Sequence, residues 1–371
     1  MPPPQDLQIF LCGDVMTGRG IDQILSCPSF PRLYEPYIKD AKDYVVIAER
    51  TNGKIPRGVY GGYLWGDGLI ELKQRNLSAR IINLETSITK SKTQDLHKSI
   101  HYKMHPGNID AITSASINVC SLANNHILDW GKQGFLETLR TLKKANIEYS
   151  GAGHNIDQAQ TPAILRTPND KIRILIFSMG TYSSGISPQW GATTKQPGLW
   201  LLHDLNGNTI QQIKEIINYY RKPHDLIIIS IHWGGNWGYD IPRQHQNFAH
   251  ALIDELSVNI IHGHSSHHPI GIEIYNHCPI LYGCGDLIND YEGIGGYQQF
   301  KDELTLMYFL TFDAHLSLKV LELVPFVRKN FSLHYANDSD CQWMLKAMKK
   351  ASLTFNTHFK LVNRTIYCLM Q

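Results

Sequence analysis

The sequence predicts an α/β sheet protein, and three observations carry that prediction. Short apolar runs recur that are rich in β-branched residues and do not alternate with polar ones, as strands buried on both faces require. Stretches of helical length and pattern lie between them. Each run also ends in a conspicuous polar group, and in open α/β sheets the carboxyl ends of the strands share the edge where ligands bind.

The first run is Leu7–Cys12, "LQIFLC". Residues 40–78 follow as a loop insertion. Its first part, Asp40–Gly68, is rich in Gly, Tyr and Pro and reads as a long surface excursion. Further strands are expected at Arg80–Leu84, Ile117–Leu122, Ile172–Ser178, Leu226–Ile231, Val258–Ile261 and Ile280–Tyr282. Helices are expected at Gly131–Ala145, Thr209–Arg221 and Arg243–Leu256, the last with Pro242 placed to start it. After Leu304 the pattern changes. "LTLMYFLTFD" and "LSLKVLELVPF" flank Ala314 and His315 as an antiparallel hairpin. The tail reads as helical at "CQWMLKAMKKASL". The chain is therefore expected as one domain over residues 1–330, with a helical extension over 331–371 packed on it.

A chain of 371 residues, 43% hydrophobic and 18% charged, is long enough for a sizeable core. Its net charge of +2 and the absence of a long Lys/Arg block exclude nucleic acid as the default partner. The seven cysteines lack zinc-finger spacing and sit mostly in apolar runs, so they are expected as reduced, buried thiols in a reducing compartment. The start, "MPPPQDLQIFLCGDVM", has no basic n-region, and no apolar run reaches the roughly 18 residues that span a bilayer. The expectation is a cytoplasmic protein with no membrane segment.

The polar groups at the strand ends are chemically specific. They are Asp14, Glu85, Asn124-Asn125-His126, His232, the cluster His262, His264, His267 and His268, and Asp286. Carboxylates, an amide oxygen and several imidazoles, without paired thiolates, suit Zn²⁺, Mn²⁺ or Fe in a reactive rather than a structural site. Two such metals about 3.5–4 Å apart would clamp a hydrolytic reaction. Order along the chain suggests Glu85 as the shared acid and Asp14 on one metal. Asn125, His232 and His264 then hold the other, and His267 returns to the first. His262 and His268 are expected to support the ligands or lie at the surface, and Asp286 and Asp290 to fix the rim loop.

"CGDVMTGRG", "INLETSIT", "SLANNHILDWG", "SIHWGGNWGY", "FAHALID", "HGHSSHHPIGIEIY" and "ILYGCGDLIND", in that order from about Ile9 to Tyr291, closely resemble the bacterial capsule synthesis protein CapA family. That family is linked to poly-γ-glutamate capsule synthesis and is a branch of the calcineurin-like metallophosphoesterases. The resemblance implies a four-layer αββα sandwich. It implies that Asp14 is the aspartate of the first motif, Glu85 the bridging acid, Asn125 a ligand and His126 the catalytic acid or oxyanion donor. His232, His264 and His267 would be the remaining ligands. Met16 stands where the superfamily usually has a ligand histidine, so either one or two divalent ions (Mn, Fe or Zn) is expected.

Arg19, Trp65, Trp237, Tyr239 and the "HYKMHP" stretch from His101 are candidate substrate contacts, Arg19 through the planar fork that suits phosphate or carboxylate. Two function classes remain open. One is a metal-dependent hydrolase acting on a phosphoester or γ-glutamyl-type amide of a small molecule or polymer that carries phosphate or carboxylate groups. The other is a non-catalytic capsule-synthesis component or metal/anion-binding module. The oligomeric state is not legible.

Overall fold

The computed structural model describes residues 6–167 and 172–370. The expectation about the first five residues lies outside this range. Among the described residues two large sheets form. The ten-stranded sheet runs, edge to edge, His358–Val362, Thr365–Leu369, Leu318–Lys329, Leu304–Phe312, Leu7–Val15, Leu77–Leu84, Val119–Ser121 and Glu148–Ser150. From Leu7–Val15 to Glu148–Ser150 it is parallel; its other half is antiparallel. Asp286–Ile288 pairs in parallel with the end of Leu7–Val15, and Ser332–Tyr335 pairs with Leu318–Lys329. The seven-stranded sheet centres on the parallel strands Arg173–Thr181, Asp225–His232 and Ile260–His264.

The non-alternating runs are explained by what lies on each face. In Leu7–Val15 the side chains of Leu7, Ile9 and Leu11 join one apolar cluster, and Phe10 and Cys12 join another. In Asp225–His232, Leu226 and Ile228 face the same cluster as Leu7, while Ile227, Ile229 and Ile231 pack with Ile213, Phe248 and Leu252 of the helices Gly207–Tyr220 and Arg243–Leu256. Both faces are buried along the middle of each strand, so the apolar residues there run on without alternation. The shared cluster lies between the sheets. The outer two clusters lie between each sheet and its own helices, with Phe135, Leu139 and Leu142 of the helix Gly131–Lys144 on the larger sheet.

Two expectations need correction. Residues 40–78 are not an open loop. Lys42–Asn52 and Gly68–Gln74 are helices, Gly61–Trp65 is a short 3₁₀ turn, and Trp65 is fully buried with its Nε1 donating to Ala111 O at 2.7 Å. In "DYVVIAE", Tyr44, Val45 and Ala48 form a helical stripe that the surrounding Gly, Tyr and Pro mask in the sequence. The tail holds the expected helix, Asp338–Ala351, but also the hairpin His358–Val362/Thr365–Leu369 on the edge of the larger sheet. That hairpin turns on Asn363 and Arg364, at φ 48° and 65°. Both central residues are left-handed, as the tightest hairpin turns require, but an arginine stands where glycine usually signals the turn.

Candidate metal centre

On the faces between the sheets, each apolar series turns polar at the carboxyl end of its strand. Val119 is followed two residues on by Ser121, and Ile81 by Asn83. Leu226 and Ile228 lead to Ser230 and His232, and Ile260 leads to His262 and His264. Side chains two apart share a face, so these polar groups project into one buried space. Two glycines let the backbones approach there. A Cβ on Gly13 would sit 1.8 Å from Gly285 O, and one on Gly263 would sit 2.3 Å from Tyr282 O. The Gly-Asp and His-Gly-His steps of the sequence are thus dictated by close approach of the chain. Beyond His264, Ser265 is held at φ 102°, with its N–H 3.3 Å from Asp14 Oδ2. That conformation is strained for a residue with a Cβ and belongs at a functional site.

Two sets of buried side chains could each hold a metal ion: Asp14 with His232 and His264, and Asp14 with His267 and Asp286. Within each set the ligand atoms lie within 4.8 Å of one another. Asp14 is common to both. The sequence reading gives the shared position to Glu85; in the structure Glu85 belongs to neither set and lies one hydrogen bond away, against Asp14 and 3.2 Å from Asn83 Nδ2. Asp14 stands opposite Asp286 across one neighbouring strand and opposite Asn83 across the other. The sequence reading puts Asp286 on the rim. Its place at the end of "ILYGCGD" is the signal that it stands with the candidate ligands.

The donor set fits a divalent cation on the chemistry present. His232 Nδ1 and His264 Nδ1 are 2.7 Å apart, while His232 Nε2 faces Asn125 Oδ1 at 3.1 Å. Two imidazole nitrogens this close share either a proton or a cation between them. Burial pushes the pKa of both rings well below the ordinary histidine value, keeping them neutral as ligands must be. Asp14 is pushed up to about 7, first by burial and then by Asp286, and Glu85 is raised by burial and by Asp14. Three carboxyl groups gathered out of water call for positive compensation. His267 supplies some of it. Burial alone would lower its pKa, but Asp286, 2.9 Å from its Nδ1, and Asp14 raise it.

His126 is 7% exposed beside these groups. Its Nδ1 lies 2.6 Å from Asp129 Oδ2 and its Nε2 3.8 Å from Glu85 Oε1. Burial lowers its pKa to about 4 and outweighs the opposing pull of Asp129. Lys98 Nζ ties the group together, 2.6 Å from Asp129 Oδ1 and bonded to Asn125 O. Lys98 does not stand out in the sequence, where one lysine in a polar stretch carries no signal.

The candidate substrate contacts fare differently. Arg19 is buried, and its fork is already occupied. It meets both oxygens of Asp290 at 3.1 and 2.5 Å, Glu35 at 3.0 Å and Tyr44 Oη at 2.9 Å, with Tyr44 and Tyr102 stacked on it. It organises the cleft wall instead of offering a free fork to an anion. Trp237 stacks on Tyr297 at 3.8 Å and reaches the His267 ring at 5.3 Å, and Tyr239 meets the edge of His268 at 4.7 Å. His101 Nε2 bonds to Asp95 O at 2.8 Å. A cleft of about 530 Å³, with Arg19, Glu35, Tyr37, Trp237 and Tyr291 on its walls, opens onto His267.

The seven cysteines are free, with Cys27 exposed. No helix among the described residues is long and apolar enough to cross a membrane.

Comparison with known proteins agrees with the motifs. A probable polyglutamine synthesis accessory protein of Mycobacterium tuberculosis is 40% identical over 95% of this chain and 93% of its own length. The capsule biosynthesis protein CapA of Bacillus anthracis is 24% identical over 86% of this chain and 67% of its own. The PGA biosynthesis protein CapA of Bacillus subtilis is 25% identical over 62% and 56%. The family model of the bacterial capsule synthesis protein PGA_cap matches residues 8–291. That span holds both candidate ligand sets and His126, and the chain belongs to this family.

Proposed function

We propose that this chain is a metal-dependent hydrolase of the capsule-synthesis family, with water attacking a phosphoester or a γ-glutamyl-type amide. The observation that carries the reading is Asp14, one buried carboxylate common to two ligand sets. The order helices, sheet, sheet, helices supports the four-layer calcineurin-like arrangement as its frame. The names of the relatives support a role connected with polyglutamate.

A divalent cation held by Asp14, His232 and His264, and a second by Asp14, His267 and Asp286, would supply Lewis acidity and make water nucleophilic near neutral pH. The chain's own groups do the rest. Asp129 accepts a hydrogen bond from the His126 Nδ1–H, which leaves only Nε2 to exchange a proton with substrate. With its pKa lowered to about 4 by burial, His126 rests neutral near pH 7. Lys98 fixes the pair and the Asn125 carbonyl in one geometry. The apolar layers beneath keep bulk water from the sheet side of the site.

Met16, buried where the superfamily usually has a ligand, favours the second reading: one ion, or a binding module without turnover. Metal content by mass spectrometry on wild type and His264→Ala separates them. Near two equivalents falling on mutation, with hydrolysis of aryl phosphates or γ-glutamyl amides lost in His126→Asn, supports the hydrolase. About one equivalent, or none after reconstitution, with no turnover on either substrate class, supports the module.

A further inference from the structure

Behind His264 lies a chain of hydrogen bonds that belongs to no ligand set. His262 Nε2 is 2.7 Å from the carbonyl oxygen of Cys12, and His262 Nδ1 is 3.1 Å from Ser230 Oγ. Ser230 Oγ is 2.9 Å from His264 Nε2 and accepts from Ser121 Oγ at 2.7 Å. His262, His264, Ser230 and Ser121 are all fully buried. The proton positions follow by elimination. A carbonyl oxygen only accepts, so His262 Nε2 carries the proton and Nδ1 of the neutral ring is bare. Ser121 already donates to Ser230, so the single Ser230 proton goes to His262 Nδ1. Ser230 Oγ then accepts from His264, so His264 Nε2 carries the proton and His264 Nδ1 is bare. That Nδ1 is the nitrogen facing His232.

We propose that His262 and Ser230 are positioning residues that lock His264 in the tautomer with a bare Nδ1, reading the Cys12 carbonyl across the two sheets and presenting a ligand nitrogen to a divalent cation. This rests on the metal-site reading for its purpose but not for its geometry. Partners behind a ligating histidine fix ring and tautomer, and their loss typically weakens metal binding about 10–100-fold.

The test uses the full chain labelled with ¹⁵N-histidine, together with His262→Leu, His262→Gln and Ser230→Ala. A glutamine amide can donate to Cys12 O and accept from Ser230, so it should restore the lock; leucine cannot. In metal-free protein, long-range ¹H–¹⁵N spectra should show His264 protonated at Nε2 in wild type and His262→Gln. In His262→Leu and Ser230→Ala the two tautomers should mix. Titration with Mn²⁺ alone should show affinity about 10–100-fold weaker for His262→Leu and Ser230→Ala, and within about threefold of wild type for His262→Gln. Unchanged tautomer and affinity in folded Ser230→Ala would overturn the proposal, as would His262→Gln behaving like His262→Leu. Wild type that binds no cation while showing the Nε2–H tautomer would sink the metal reading and leave the lock standing. Circular dichroism on each variant identifies one that fails to fold, and the other pair then decides.

Discussion

Replacing Asp14 by asparagine should stabilise the metal-free protein while disabling the site. Asp14 is fully buried, and its carboxyl is raised from 3.8 to about 7, chiefly by burial and by Asp286. At about 1.4 kcal/mol per factor of ten, ionising it in the folded state costs roughly 4 kcal/mol more than in the unfolded chain. The neutral amide removes that cost but has one oxygen for two donors, Asn83 Nδ2 at 2.7 Å from Oδ1 and the Ser265 N–H at 3.3 Å from Oδ2, and the lost bond is worth about 1 kcal/mol. The sign is that of a raised folded pKa. The contribution to stability is complete below 3.8 and is lost as pH climbs through about 7. Wild type and Asp14→Asn should therefore be nearly equal near pH 5, and the variant should be about 2–3 kcal/mol more stable at pH 8. Glu85 and His267 also feel the Asp14 charge, so the measured difference includes their response, while groups away from the site cancel. Urea unfolding with chelator at the two pH values measures it. With Mn²⁺ at about 100 times its Kd, wild type alone should gain about 2.7 kcal/mol, closing or reversing the gap. A variant less stable than wild type at pH 8 without metal would refute the reasoning, because Asp14 would then be a structural anchor and not a ligand held at a cost.

The other expectations concern separate parts of the molecule. His264→Ala and His267→Ala lie in different ligand sets, so each should lower metal content by about one equivalent and the double variant by both; loss of all metal from either single change would show one interdependent site. Arg19→Met leaves Asp290 and Glu35 buried without their cation and should cost about 3–5 kcal/mol in thermal or urea unfolding. Arg19→Lys should recover only part of that, since one ammonium cannot serve two carboxylates and two ring faces. Away from the site, His245 stacks on Trp233 at 4.5 Å and burial lowers its pKa from 6.5 to about 4. A depressed folded pKa contributes stability that is present above pH 6.5 and lost as pH falls toward 4. His245→Phe should therefore flatten acid unfolding by about 2–3 kcal/mol over that range, and an unchanged acid limb would show that the ring titrates freely.

How much of this was legible in the sequence depends on whether a feature is local. The strand runs and the three long helices were readable because burial on two faces leaves a continuous apolar signature, and a stripe on one face leaves a helical one. The candidate ligands His232 and His264 are readable for the same reason: each continues the inward-facing series of its own strand, so the strand that predicts the core also predicts where the polar end points. What could not be read was anything decided by two distant segments. Glu85 and Asp286 each follow an apolar run; that Asp286 stands directly opposite Asp14, with Glu85 hydrogen-bonded beside it, is decided by pairing between distant segments. Arg19 reads as a free anion fork in sequence because its partners Glu35 and Asp290 are 16 and 271 residues away. His262 reads only as a supporting residue with no assigned task, since the Cys12 carbonyl that fixes its proton lies 250 residues earlier. In a two-sheet fold with its site between the sheets, ligand identity is thus written strand by strand. Ligand sharing and proton placement are written only in contacts between distant segments: Asp14 beside Glu85 and Asp286 within the larger sheet, Arg19 with Glu35 and Asp290, and His262 on the Cys12 carbonyl across the two sheets.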